Sequence, residues 1–271
     1  MKSFALLCCC IFFWYQAISQ STPEFIPVAV LEKAVQRLET DELQRLYLIQ
    51  NDYELVQCDA KGTPLYTFNE NTLGPISYID VRNPFRILVY YDDYATAVFL
   101  DRTLSELQRY DLSQLNLPQI QALGMASDNN LWLYDNGTAT LKKIDQSDQV
   151  LVESLELDLL LTEPLNPIRV LEANNQVYLH DPNIGIMVFD VFGAFIKTIH
   201  IPETVTYFQF QDEQLFYTQD NILYTYHPLS LLTQAIQLPI LKENTQQVCI
   251  NQQLLYVRYP DRVELFRLSK K

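Results

Sequence analysis

A hairpin-sized unit recurs six times along this chain at intervals of about forty residues, and no other feature narrows its folding as much. The clearest copies are NLWLYDNG (130–137), QVYLHDPN (176–183) and QLFYTQDN (214–221). Fainter ones are RLYLIQND (45–52), RILVYYDD (86–93) and LLYVRYPD (254–261). Each is a short apolar and aromatic run ending in Asp, Asn or Pro, the pattern of a strand entering a tight turn. The second apolar residue of each unit falls at Tyr47, Leu88, Trp132, Tyr178, Phe216 and Tyr256, with spacings of 41, 44, 46, 38 and 40 residues. Strand-type repeats of that period imply a radial or solenoid arrangement rather than one ordinary core.

Within a unit, four strand-like segments can be read. The fourth unit runs PIRVLEA (167–173), QVYLHD (176–181), GIMVFDV (185–191) and AFIKTIHI (194–201). First-to-second-strand turns repeat in phase at Asp41-Glu42, Asn83-Pro84, Asp128-Asn129, Asn174-Asn175, Asp212-Glu213 and Asn251-Gln252. Short polar side chains suit such turns because they bond nearby backbone. Pro75, Pro118, Pro164, Pro202 and Pro239 fall between units, where a strand must end. The expected fold is all-β: a six-bladed β-propeller of four-stranded antiparallel blades. The last unit shows three strands, while FIPVAVLE (25–32) precedes the first complete unit. An N-terminal strand is therefore expected to complete the last blade and satisfy its open edge. A short helix over LEKAVQRLETDELQRL (31–46) competes, since these are good helix formers.

Residues 1–19 read as a signal peptide and residues 20–271 as a single propeller domain. Lys2 supplies the positive start, FALLCCCIFFWYQA (4–17) the apolar stretch, and Ala17 and Ser19 the small residues before cleavage. The stretch is short of the ~20 apolar residues a retained membrane anchor needs. A lipoprotein signal at Cys8, Cys9 or Cys10 is a third reading, with Leu7 where a small residue would be wanted. Export to the periplasm or the extracellular space follows. The net charge of −14 repels phosphate backbones and anionic lipid, so neither nucleic acid nor membrane insertion of the mature chain is expected. Basic partners are attracted instead, and a monomer is expected. Charged residues make up 19% and hydrophobic ones 48%, which excludes a disordered chain, and six glycines leave little for phosphate-cradling loops. Cys58 and Cys249 remain after the signal. Export invites a disulfide between them. The repeat sets Cys58 on an outer strand of the first unit and Cys249 on the inner strand of the last, which favours two inert buried thiols.

The fourth unit, residues 177–199, resembles the NHL-type blade at Tyr178, Asp181, Ile186, Val188, Phe189, Asp190 and Gly193. Gly185 stands near where that pattern often carries a basic residue, and the glycine that opens such blades is absent. With its signal ending in Ser19-Gln20, the chain as a whole resembles exported propellers of Bacteroidota-type bacteria. The resemblance implies the six-bladed fold and export, and it carries no activity.

Catalytic constellations are sparse. The three histidines, His180, His200 and His227, show no HExxH or CxxC context, and no GxSxG elbow is present. His180 beside Asp181 reads either as a general base oriented by a carboxylate or as a satisfied polar residue at a strand end. His227, before Pro228, and Asn136-Gly137-Thr138 read as turns. What remains is a ring: every second-to-third-strand turn carries an acid, at Asp52, Asp92 and Asp93, Asp135, Asp181, Asp220 and Asp261. On a propeller these turns share one face, which would suit a basic peptide or a cation, calcium being the one candidate cofactor. Local hydrogen bonding within each turn accounts for the same acids. Tyr53 and Tyr94 are expected to be exposed beside them as recognition residues, and Trp132 to be core. The function expected is a non-enzymatic exported scaffold that binds a protein or cell-envelope component through one rim. The rival is a calcium-assisted hydrolase of the lactonase kind.

Overall fold

Tight turns organise the chain locally. Asn174 and Asn175 have φ of 52° and 56°, Asp212 and Glu213 47° and 63°, and Asp220 and Asn221 49° and 64°. Two successive left-handed residues give a hairpin turn whose twist matches that of its strands. The computed structural model describes residues 24–115, 120–147, 149–161, 164–228, 230–238 and 244–269. The export signal read at residues 1–19 lies outside them, as do Pro118 and Pro239.

Six four-stranded antiparallel sheets form a six-bladed β-propeller. Blade I holds β2 (Arg37–Thr40), β3 (Leu46–Gln50), β4 (Glu54–Cys58) and β5 (Pro64–Asn69). Blade II holds β6 (Tyr78–Asp80), β7 (Ile87–Tyr91), β8 (Thr96–Leu100) and β9 (Glu106–Asp111). Blade III holds β10 (Ile120–Met125), β11 (Leu131–Asp135), β12 (Thr140–Ile144) and β13 (Val150–Glu153). Blade IV holds β14 (Arg169–Ala173), β15 (Gln176–Asp181), β16 (Gly185–Asp190) and β17 (Phe195–Ile199). Blade V holds β18 (Phe208–Gln211), β19 (Gln214–Gln219), β20 (Ile222–Tyr226) and β21 (Thr233–Gln237). Blade VI holds β22 (Gln247–Asn251), β23 (Leu254–Arg258) and β24 (Val263–Ser269), and its fourth strand is β1 (Glu24–Leu31). The β1–β24 register runs from Glu24 opposite Ser269 to Leu31 opposite Val263. The N-terminal strand thus closes the ring.

Hydrophobic residues collect between blades rather than at one centre. Tyr47, Leu55, Val89 and Val98 fill the wedge between blades I and II, and Leu88, Phe99, Leu123 and Leu133 that between II and III. Trp132, Tyr134, Val177 and Phe189 fill the III–IV wedge, and Leu171, Tyr178, Phe208 and Leu215 the IV–V wedge. Leu223, Val248 and Val257 lie between V and VI. At the seam between VI and I, Cys249 and Tyr256 meet Leu38, Leu46 and Cys58, with Val28 and Leu31 of β1 packed against them. In blades II and III the second strands, and in blade II the third, are covered on both faces, so β7, β8 and β11 are buried throughout and read as continuous apolar runs, not alternating ones. At Gly124 of β10 an added Cβ would lie 2.2 Å from the Val170 carbonyl oxygen, so glycine alone permits this approach of blades III and IV.

Two expectations need correction. The helix-forming segment 31–46 becomes the end of β1, a loop and β2: pairing of Leu38 with Leu48 and burial of Val35 and Leu38 outweigh local propensity. Cys58 ends the third strand of blade I, not an outer one, because Pro64–Asn69 supplies the fourth. Both cysteines are buried free thiols.

Candidate functional site

Each inner strand begins at the end of the ring where blades are linked, here the lower end, and finishes at the first-to-second turn on the upper end. The inner strands carry polar residues that are nonetheless buried, among them Glu39, Asp80, Arg169, Glu172, Gln247 and Asn251. Most of them tie one blade to another. Gln247 accepts from the Leu38 amide at 3.2 Å and donates to its carbonyl at 2.7 Å, while Asn251 donates to the Asp41 carbonyl at 2.6 Å. Gln209 bonds the Ile250 backbone in the same way. These amides do between blades what a backbone ladder does within one. Asp80 accepts from the Met125 amide at 3.1 Å, and Arg82 donates to the Met125 and Glu172 carbonyls. The Glu172 carboxylate accepts from Ser127 and from the Trp132 indole.

Across the axis, Arg169 of blade IV meets Glu39 of the opposite blade I at 3.3 Å. Tyr207, just before β18, donates to the second Glu39 oxygen at 2.8 Å. The Arg169 guanidinium lies 5.0, 5.5 and 5.9 Å from the ring centroids of Tyr207, Phe208 and Tyr78, which fix its plane. Burial pushes the Tyr207 phenol well above its ordinary range, with Cys249 and Glu39 adding to the shift, so it remains a donor.

Above this triad a cavity of about 340 Å³ opens at the upper end. Arg169, Glu39 and Tyr207 line it below, Phe210 and Asn174 along the wall, and Glu42, Asp212 and Glu213 at the rim. Its cations are already matched to acids. Arg82 pairs with Asp80, Arg169 with Glu39, and Asp41 of the rim holds Arg45 at 2.6 Å. Glu42, Asp212 and Glu213 are exposed and have no ion pair among the described residues. Glu213 also occupies a left-handed turn position that Asn, Asp or Gly fills with less strain.

The acids singled out in the sequence lie at the lower end, one or two per blade, opposite this cavity. Asp135 is fully buried and accepts from Lys142 at 2.7 Å, Thr138 at 2.9 Å and the Gly137 amide at 3.0 Å. Burial would raise its carboxyl; Lys142 and these hydrogen bonds outweigh that and hold it below the ordinary range. Asp181, 1% exposed, accepts from the Asn166 and Asn183 amides at 2.6 and 2.8 Å. Asp261 pairs with its neighbour Arg262 at 2.8 Å. Asp52, Asp93 and Asp220 are exposed in their turns, as are Tyr53 and Tyr94, and Trp132 is fully buried. The lower acids are thus spread around the ring. Among the described residues no group of three or more His, Cys, Asp or Glu could hold a metal ion. The axial residues escaped notice in the sequence. A weak signal existed, since Glu39 and Glu172 each stand two residues before a first-to-second turn.

His180 is fully buried, packs edge-on against Phe208, and finds no described partner for either ring nitrogen. Asp181 turns its carboxylate to backbone amides instead, so the oriented general base and the satisfied polar residue are both absent. Burial first, and then the charge of Arg169, lowers the imidazole to about 4, with Asp181 opposing. The folded chain therefore binds fewer protons than the unfolded chain between pH 6.5 and about 4. This contribution is complete above pH 6.5 and is lost as pH falls toward 4. Over that window it amounts to about 3 kcal/mol. Urea midpoints from pH 7 to pH 4 will show the fall, and His180→Leu will flatten it by about one proton's worth.

No protein-family model matches the chain, nor does any curated protein. Solved structures share its fold. A streptogramin B lyase structure superposes with a TM-score of 0.60 at 11% identity, covering 91% of this chain and 97% of that one. A catalytically inactive virginiamycin B lyase from Staphylococcus aureus with quinupristin gives 0.57 at 13% identity, covering 87% and 80%. The Neurospora crassa Pan2 WD40 domain gives 0.59 at 8% identity, covering 93% and 97%. At such identities the likeness is one of fold.

Proposed function

We propose that the protein is an exported, monomeric binding propeller that takes a basic segment of a protein or cell-envelope partner in the upper mouth of its central channel. One observation carries this reading. The mouth presents three exposed carboxylates, Glu42, Asp212 and Glu213, without cation partners among the described residues, whereas its arginines are already paired. Aromatic walls and amide groups beside them suit a lysine or arginine side chain. The lower surface of Asp52, Asp93, Asp220 and Asp261 with Tyr53 and Tyr94 is a second contact area for the same class of partner. Export rests on the reading of residues 1–19.

Calorimetric titration with a lysine- and arginine-bearing peptide tests the proposal. Binding is expected to weaken steeply with salt. Asp212→Asn with Glu213→Asn should weaken it about tenfold, at roughly 0.5–1 kcal/mol for each rim charge. The fold should remain intact, since Asn suits both turn positions. No binding, or binding unchanged in the variant, would overturn the reading. Calcium-dependent hydrolysis of a lactone or ester by the purified protein would replace it with the enzymatic rival.

A further inference from the structure

The two arginines of the channel are treated differently. Arg82 is spent: it donates to both oxygens of Asp80 and to the carbonyls of Met125 and Glu172. Arg169 is buried to all but 8% of its surface, yet its one hydrogen bond among the described residues is the 3.3 Å contact to Glu39. Its Nε has no partner and is sealed from solvent, so the donors left open to the cavity are those of the terminal nitrogen that Glu39 does not engage. A guanidinium carries five donors in a rigid fork that matches a carboxylate, and leaving such donors unmet in a buried place is costly. Three rings already hold the group in position, so little ordering is needed to use it. Glu39 engages only one terminal nitrogen, because Tyr207 holds its other oxygen.

The cavity is thus polarised, with an underused guanidinium at its floor and unmatched carboxylates at its rim. Resting on the basic-segment reading above, we infer that the occupant is the free C-terminal end of a basic peptide. Its terminal carboxylate would sit on Arg169, and its lysine or arginine side chains would lie against Glu42, Asp212 and Glu213. A volume of about 340 Å³ suits about two residues at the end of an extended chain. A ligand with both charges neutralises the rim and supplies the floor with the acceptor it lacks, whereas a purely cationic ligand satisfies only the rim.

The experiment compares one basic peptide with a free C-terminus against the same peptide amidated at its C-terminus. Wild-type protein should favour the free acid by about ten- to a hundredfold, the range of a charge-assisted bond. In Arg169→Lys, which keeps the charge but loses the fork, that preference should fall to about threefold or less. Glu39→Gln, which retains an acceptor for Tyr207, should enlarge it by freeing the guanidinium, and this keeps the test open should Arg169→Lys fail to fold. Equal binding of the two peptides overturns the terminal-carboxylate inference and leaves the basic-segment reading standing. If neither peptide binds, the basic-segment reading itself fails.

Discussion

A chain that lacks residues 24–31 is expected to lose on the order of 5 kcal/mol or more, enough to abolish cooperative unfolding near room temperature. The strand pairs along β24 from Glu24 opposite Ser269 to Leu31 opposite Val263. Without it β24 becomes an open edge, and the unpaired backbone groups of a strand this long invite association between chains. The apolar loss falls on both neighbouring wedges. Phe25 packs toward blade V, while Val28, Ala29 and Leu31 cover the seam with blade I. Partial burial of several such side chains contributes about 1–2 kcal/mol each, and the ladder hydrogen bonds add about 0.5–1.5 kcal/mol each before chain ordering is subtracted. Calorimetric melting combined with light scattering checks the result. A monomeric truncated chain that melts within a few degrees of the parent would show that the ring does not depend on this clasp.

The second large effect is expected from Asp80→Ala. Asp80 is 3% exposed, and its carboxylate holds the Arg82 guanidinium and the Met125 amide. Burial alone would raise that carboxyl; Arg82 and the hydrogen bonds overcome it and hold the group below the ordinary carboxylate range. Removing it strands a guanidinium that reaches into blades III and IV, at a cost of about 3–5 kcal/mol. The melting temperature should fall by roughly 10 °C for a chain of this size. The double variant Asp80→Ala with Arg82→Met should recover much of the loss, because an apolar pair replaces a broken ionic one. If the double variant is no more stable than the single, the cost lies in packing and the charge argument fails. A folded pKa lowered in this way stabilises the ring above the unfolded carboxylate value and is lost only as pH falls below about 4, which separates it from the His180 window.

Much of the architecture was legible because turns announce themselves. Asn174-Asn175 and Asp212-Glu213 sit where a twisted hairpin needs left-handed residues, and 25–32 reads as a strand without a partner of its own. Propensity misled only at 31–46, where helix formers are recruited by a neighbouring strand. The axis was harder to read. Glu39 and Arg169 lie 130 positions apart, and which side of each inner strand faces the channel depends on blade twist, which spacing does not encode. The lower acids were conspicuous for the opposite reason: Asp is frequent in turns whatever lies around it. Two of them, Asp135 and Asp181, are consumed by hydrogen bonds within their own turns and to Lys142 and Asn166.

The seam where the circle is fastened holds both cysteine thiols of the described residues. Cys58 and Cys249 lie in that one wedge, each 1% exposed, and burial lifts their thiols to about 11 and about 12. An alkylating reagent therefore reaches either one only in molecules whose clasp has come undone. Nature has placed a chemical clock at the single joint of the circle made by distant parts of the polypeptide.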